Sequence, residues 1–124
     1  MNYTISEVAK KFNLTQHTIR YYEKENIISP HRNKNGIRYF TDEDLDQIEM
    51  VCCLKSTGMS IKDIKSYFKL CSQGDKTLEE RLEIFNSHRE HILKEFELLQ
   101  KHLDKIDDKI SWYKGFMKSK RCDW

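Results

Sequence analysis

Apolar residues recur with two different rhythms along the chain, and the change falls near residue 78. Before it, short apolar blocks such as Ile5, Val8 and Phe12 alternate with turn signals. After Leu78, apolar residues follow one another in steps of four and three, with no glycine before Gly115. The pattern predicts a mainly α protein, with a head over residues 1–74 and a long helix with a short tail over 75–124.

The first two helices of the head are separated by a tight turn. Spacing predicts one helix ending at Phe12, a turn at Asn13 and Leu14, and a second helix from Gln16 to about Glu25. Thr15 is placed to cap that second helix. Its periodicity puts Ile19 and Tyr22 inward, and it leaves the outer surface to His17, Thr18, Arg20, Tyr21 and Lys24.

A short β-hairpin follows this pair of helices. Pro30 is the only proline and prevents a helix from continuing through it. The run Asn33-Lys34-Asn35-Gly36 is a strong tight-turn signal, and the next four residues, 37–40, suit a strand. Two more helices are predicted after it: 42–56, capped by Thr41, and 61–71, capped by Ser60.

The long helix carries one apolar seam. A helix of about 40 residues is roughly 60 Å long, so a chain of this size has no core in which to bury the seam. We expect a homodimeric coiled coil rather than an intramolecular hairpin, because no turn signal interrupts the helix and only Arg89 breaks the seam. The predicted dimerisation residues are Leu82, Phe85, Ile92, Phe96, Leu99, Leu103, Ile106 and Ile110.

Charge is distributed unevenly between the two regions. The whole chain carries +2, whereas residues 1–40 contain seven basic and three acidic residues, which leaves −2 for the remainder. A basic head favours an anionic partner, with an ordinary solvated surface as the alternative.

Helix, turn, helix and basic hairpin together form a winged helix-turn-helix, whose second helix lies in the major groove of double-stranded DNA. Arg20 and Lys24 are suited to phosphates, and Arg38 and Lys34 to contacts from the wing. From this arrangement the predicted DNA-binding residues are Thr15, His17, Thr18, Arg20, Tyr21, Lys24, Lys34 and Arg38.

Four segments carry a family resemblance: 3–9 (YTISEVA), 18–23 (TIRYYE), 36–40 (GIRYF) and 58–64 (GMSIKDI). In this order they resemble the MerR family of bacterial regulators over residues 2–71. The resemblance implies an antiparallel dimerisation helix and binding to a palindromic operator in a promoter with an overlong spacer. It also implies distortion of that promoter so that RNA polymerase can read it, and it carries DNA contacts over to Arg20, Tyr21, Tyr22, Arg38 and Tyr39.

The cysteines bear on what such a regulator senses. With no apolar run of about 20 residues and no apolar leader, we expect a cytoplasmic protein with reduced thiols and no membrane partner. At 100° per residue Cys52 falls on the core face of its helix, and Cys53 falls on the polar flank beside Glu49. Burial favours an inert Cys52, whereas an exposed Cys53 is able to meet an electrophile.

Residues 49–55 and 70–81 resemble the aldehyde- and electrophile-responsive NmlR/AdhR-like branch of the MerR family, which carries its sensor cysteine at the position of Cys53. Alternatives are a metal sensor using Cys71, Cys122 and a histidine across the dimer, and an architectural DNA-binding protein without an effector. An enzyme is not expected, because the sequence offers no paired carboxylates in a cleft-like context, no Ser-His-Asp arrangement with supporting motifs and no glycine-rich phosphate loop. No cofactor and no dedicated metal site are predicted.

Overall fold

A computed structural model describes residues 1–122, with side chains described as far as residue 120. The fold is mainly helical, and it divides into two compact units, Met1–Ile84 and a second that begins at Phe85. The helices are α1 (Ile5–Phe12), α2 (Gln16–Lys24), α3 (Asp42–Ser56), α4 (Ile61–Ser72) and α5 (Leu78–Cys122), the strands are β1 (His31–Arg32) and β2 (Arg38–Tyr39), and a 3-10 turn covers Asp75–Thr77.

Side-chain caps start the four helices of the head, and the caps of α2, α3 and α4 are the residues that the sequence predicts. The hydroxyl of Thr4 accepts from the backbone N–H of Glu7, whose carboxylate accepts in return from the backbone N–H of Thr4. The same reciprocal pair joins Thr41 to Asp44 at the start of α3. Thr15 and Ser60 cap α2 and α4. The starts of α2, α3 and α4 therefore agree with the sequence prediction.

The hairpin is shorter than its apolar pattern suggests. β1 and β2 are two residues each, and the side-chain oxygen of Asn33 accepts from the backbone N–H groups of Asn35 and Ile37. These bonds hold residues 33–37 as a tight loop, in which Gly36 has a φ of 76°. At the base of the hairpin, Phe40 forms an antiparallel bridge with Tyr3, and the two backbone hydrogen bonds are 2.8 Å each.

One hydrophobic core lies beneath the helices of the head. Phe40, Ile48 and Ile64 have no exposed surface, and they bring the hairpin base, α3 and α4 into one interior. The remaining buried apolar side chains are Val8, Ala9, Ile19, Tyr22, Ile27, Ile28, Leu45, Val51, Leu54 and Met59. Burial of this set fixes the orientation of α2, because its inward residues Ile19 and Tyr22 belong to the core.

Hydrogen bonds attach the beginning of α5 to the head. The buried hydroxyl of Thr77 donates to the carbonyl of Leu70 at 2.7 Å. Arg81 donates to the carbonyl of Gly74 at 2.9 Å and to the Thr77 hydroxyl at 3.0 Å. The first two turns of α5 consequently belong to the first compact unit, which extends to Ile84.

α5 as a whole is a single uninterrupted helix. Its 45 residues correspond to roughly 65 Å of length. Within the described part of the chain, no helix is both long enough and apolar enough to cross a membrane.

Candidate nucleic-acid interface and cysteine positions

The outer face of α2 presents polar and basic side chains to solvent. His17, Arg20, Tyr21 and Lys24 are exposed, while the inward placement of Tyr22 is confirmed by its 4% exposure. Arg20 also donates to the side-chain oxygen of Gln16 at 3.2 Å, one turn earlier. The exposed side chains share one helix face, which is the arrangement that a helix needs for reading a DNA groove. Burial limits Tyr22 mainly to supporting this face from beneath.

Two of the predicted DNA contacts are already engaged at the start of α2. The Thr15 hydroxyl accepts from the backbone N–H of Thr18, and the two hydroxyls lie 2.8 Å apart. Thr18 is half-buried and Thr15 is exposed. Their first role in this structure is to cap the helix, so any DNA contact from them comes in addition to that role.

An acidic residue of α2 holds the wing, and sequence reasoning missed it. The Glu23 carboxylate accepts from Arg38 Nε at 2.6 Å and pairs with Arg32 at 3.3 Å. Arg32 also donates to the carbonyl of Gly36 at 2.9 Å, across the turn. Arg38, predicted as a DNA contact, therefore has an internal partner and is only about a quarter exposed. The available signal was Glu23 itself, an acid lying within the basic segment.

The two remaining predicted DNA contacts of the wing, Lys34 and Tyr39, differ in how freely they can reach a partner. Lys34 is exposed at the tip. Tyr39 is half-buried and stacks on His31, with ring centroids 5.2 Å apart. His31 in turn lies 3.4 Å from the carboxylate of Asp44. The wing thus offers Lys34 freely, whereas Tyr39 is fixed in a stacked position.

Cys52 and Cys53 differ in exposure, in the direction that helical periodicity predicts. Cys52 is half-buried and Cys53 is exposed. Burial raises the pKa of the Cys52 thiol, and the nearby charge of Glu49 raises it further. Cys52 is thereby kept as a neutral thiol, while the side chain of Cys53 is open to solvent reagents.

The other two cysteines lie elsewhere. Cys71 is half-buried near the end of α4 and hydrogen-bonds Tyr67, whose pKa is raised by burial first and by Cys71 second. The side chain of Cys122, one half of the predicted Cys71 and Cys122 metal pair, lies outside the described residues. In the described part of the chain, no group of three His, Cys, Asp or Glu residues is placed to hold a metal ion.

The predicted dimerisation seam is exposed along α5. Phe96 and Leu99 are each 65% exposed, and Phe85 is half-buried. The other predicted seam residues are exposed as well: Leu82, Ile92, Leu103, Ile106 and Ile110. Arg89 at the polar seam position pairs with Glu90 at 3.8 Å.

An open groove of about 840 Å³ runs between α2 and α4. Tyr21 of α2 and Glu25, which directly follows α2, line one side, and three lysines line the other from α4: Lys62, Lys65 and Lys69. The lysines escaped sequence reasoning, although their spacing of three and four residues places them on one helix face.

Comparison with known proteins agrees with this architecture. Residues 3–71 match the model of the MerR HTH family regulatory proteins. A Haemophilus influenzae protein described as an HTH-type transcriptional regulator is 37% identical over 114 residues, covering 91% of this chain and 84% of its own length. AdhR, an HTH-type transcriptional regulator of Bacillus subtilis, is 39% identical over 90 residues, covering 72% of this chain and 64% of its own length.

A solved structure gives the same result for the fold. The crystal structure of HiNmlR, described as a MerR family regulator lacking the sensor domain and bound to promoter DNA, superposes with a TM-score of 0.85 at 36% identity. It covers 92% of this chain and 91% of its own. The predicted fold class, a helix-turn-helix head followed by a long helix, is confirmed. The relatives are transcriptional regulators and not enzymes, which agrees with the prediction of a regulator. The chain belongs to the MerR family of DNA-binding transcriptional regulators, close to the NmlR/AdhR-like members.

Proposed function

We propose that this chain acts as a homodimer that binds and distorts promoter DNA, and that it responds to reactive aldehydes or related electrophiles through Cys53. The observation that carries the sensing half is the exposure of the Cys53 thiol on α3, inside the DNA-binding head. Similarity to AdhR and to HiNmlR supports the same branch of the family.

The DNA-binding half rests on the outer face of α2. His17, Arg20, Tyr21 and Lys24 enter the major groove or meet its bordering phosphates, and Lys34 follows the backbone from the wing. Glu23 contributes indirectly, because it fixes the wing against α2 through Arg38. RNA polymerase then acts on the promoter that the protein has reshaped.

The dimer rests on α5. Most of the apolar seam is exposed in the described part of α5, and a second α5 packed against it in antiparallel orientation buries it. Two heads per dimer match the two half-sites of a palindromic operator.

The chemistry at Cys53 requires no oxidant. The sulfur attacks the carbonyl carbon of an aldehyde and forms a C–S bond. The π electrons of the carbonyl move to its oxygen, which takes up the proton that the thiol loses. The product is a hemithioacetal on α3, a helix that packs against both α1 and α4. Because Cys53 is exposed, the adduct adds a polar group to the solvent-facing side of α3, and the aldehyde signal starts from that surface.

The test compares two neighbouring thiols. An operator is first selected from random duplexes by binding to the wild-type protein, and it is then placed in a promoter for transcription assays with and without formaldehyde. We expect the wild type and Cys52→Ser to change transcription on addition of aldehyde. Cys53→Ser should bind the operator with unchanged affinity and give no response.

An aldehyde response retained in Cys53→Ser contradicts the sensor assignment, and Cys71→Ser then tests the next thiol. If the wild type binds the operator but does not respond, the DNA-binding proposal stands without the aldehyde. Divalent metals are then added to the transcription assay. A response to a metal indicates a metal sensor, and no response to any of them indicates an architectural protein.

A further inference from the structure

A stacked pair of histidines on α5 is a set of metal-ligating side chains that neither the proposed DNA contacts nor the thiol chemistry uses. His88 and His91 lie three residues apart, so they follow one another on one face of the helix. Their ring centroids are 6.0 Å apart, and the ring planes are 20° from parallel. His91 is exposed and His88 is half-buried. The pair therefore stands at the surface of a continuous helix, where one small ion can reach both rings.

We propose that His88 and His91 bind one divalent transition-metal ion per chain, through one nitrogen of each imidazole ring. Imidazole is a ligand that suits Zn²⁺, Ni²⁺ and Cu²⁺, whereas Mg²⁺ and Ca²⁺ prefer oxygen ligands. The site lies in the second compact unit, whereas Cys71 lies in the first. It is therefore distinct from the predicted cysteine metal pair, and it does not depend on the placement of α2 on DNA.

The separation of the rings fits a shared ion after a small movement. A metal bound at about 2.0–2.1 Å by one nitrogen of each ring holds the two ring centres roughly 5 Å apart in tetrahedral geometry. The observed 6.0 Å exceeds this separation by about 1 Å. The last side-chain torsion of histidine is broad, so both rings can turn a nitrogen toward one ion without leaving the helix face.

The charges around the pair do not exclude a cation. Arg89 pairs with the carboxylate of Glu90 at 3.8 Å, which offsets its charge. Lys94 and Glu95 both follow His91 by one turn. Around the helix, Glu95 falls between the two histidines in direction, whereas Lys94 falls about 60° beyond His91. The acid therefore lies closer than the base to the line on which the ion binds.

Two protein ligands set the strength of this site. In the part of the chain that the structure describes, no third His, Cys, Asp or Glu is placed to complete a metal cluster. Water fills the remaining coordination positions, so the ion stays exchangeable, unlike the ion of a structural site with four protein ligands. Because the two ligands are one turn apart, a bound ion clamps that turn and stabilises the folded helix.

The first arm of the test observes the histidine rings directly. Wild-type protein without DNA is titrated with NiCl₂, and the ring signals of each histidine are followed by ¹H–¹⁵N NMR. Ni²⁺ is paramagnetic, so the rings that hold it lose their signals first. We expect the signals of His88 and His91 to broaden together. His102, which has no histidine or acid three or four residues away, should keep its signal until metal is in excess. MgCl₂ should broaden none of them.

The second arm measures Ni²⁺ affinity by calorimetry. His91→Ala removes one ligand and should bind more than about tenfold more weakly than wild type. Glu90→His/His91→Ala keeps the number of histidines but moves the second one to the opposite side of the helix, so it should bind as weakly as His91→Ala. His102→Ala is the control and should keep wild-type affinity. Circular dichroism checks that each variant is folded without metal.

Thermal unfolding gives a third readout that depends on binding to the folded state. Ni²⁺ should raise the unfolding temperature of wild type and of His102→Ala, and it should leave that of His91→Ala unchanged. Wild-type affinity in His91→Ala, or in Glu90→His/His91→Ala, overturns the proposal because the ion then lies away from the pair. Ni²⁺ binding that is lost only when the four cysteines are replaced by serine assigns the metal to the thiols, and it overturns the proposal as well.

Discussion

The head and the long helix are built on opposite principles, although both are mostly α-helical. In the head, capped helices surround a buried core, and residues such as Ile48 and Ile64 are entirely shielded from water. In α5, the large apolar side chains face solvent; Phe96 and Leu99 are each 65% exposed. The head gains stability from its own contacts, whereas the exposed stripe of α5 is the surface that we propose packs against a second copy.

This difference has a consequence for how mutations act. A substitution in the core of the head changes an intramolecular free energy of unfolding. A substitution in the α5 seam changes an association constant, and its effect depends on protein concentration. Variants of the same chemical type placed in the two regions should therefore produce different kinds of failure.

The largest effect is expected at the α5 seam. Leu99→Lys places a charge on the apolar stripe of each chain, whereas Leu98→Lys makes the same change one residue earlier, off the stripe. Leu99→Lys should yield monomers with reduced helicity and no operator binding at micromolar concentration, and Leu98→Lys should remain dimeric. Sedimentation equilibrium measures the difference. If both variants form dimers as strongly as the wild type, the assignment of Leu99 to the dimer seam is wrong.

The core of the head should give the next largest effect. Ile64 has no exposed surface, and Ile64→Ala should lower the free energy of unfolding by about 2–5 kcal/mol. Ile37 is 60% exposed on the wing, and Ile37→Ala should cost less than about 0.5 kcal/mol. Urea unfolding followed by tyrosine fluorescence compares the two. A loss of dimerisation in folded Ile64→Ala protein would show that the core of the head and the α5 seam are coupled.

The attachment of the wing should give a smaller effect on stability and a visible one on DNA binding. Glu23→Gln removes the charge that accepts from Arg38 and pairs with Arg32. We expect the free energy of unfolding to fall by about 1–2 kcal/mol, because the Arg38 pair is mostly shielded from solvent. Operator affinity should fall several-fold as the wing loses its position. Glu97→Gln on α5 is the control, and an unchanged affinity in Glu23→Gln would show that the wing does not depend on this carboxylate.

Much of this architecture is readable from the sequence where the physical cause is local. Thr15, Thr41 and Ser60 begin helices because the side chain of each accepts from the backbone N–H group three residues later. The inward position of Tyr22 follows from helical periodicity alone. Such features require no knowledge of the tertiary fold.

Other features depend on elements that are distant in sequence. The Glu23–Arg38 bond joins residues 15 apart, and the Glu25–Lys65 bond joins residues 40 apart. Neither partner is identified by periodicity, because the crossing of α2 with the wing and with α4 decides it. The groove is missed for the same reason: its two walls become one site only after the head has folded.

The smallest expected effect is the pH dependence of the Glu25–Lys65 pair in the free protein. The hydrogen bond from Lys65, and then its charge, lower the pKa of Glu25 below its ordinary value of 4.5, while the same partner raises the pKa of Lys65 above 10.5. A lowered carboxylate pKa stabilises the folded state above 4.5, and this contribution is lost as the pH falls through the folded pKa. The raised lysine pKa contributes below 10.5 and is lost as the pH rises through its folded value.

Thermal unfolding of wild type and Glu25→Gln should therefore differ slightly near neutral pH and converge in acid, below the folded pKa of Glu25. Because both side chains are partly exposed, high salt should remove most of the difference at neutral pH as well. A difference that persists at the acid end would mean that Glu25 stabilises the head by packing rather than by charge.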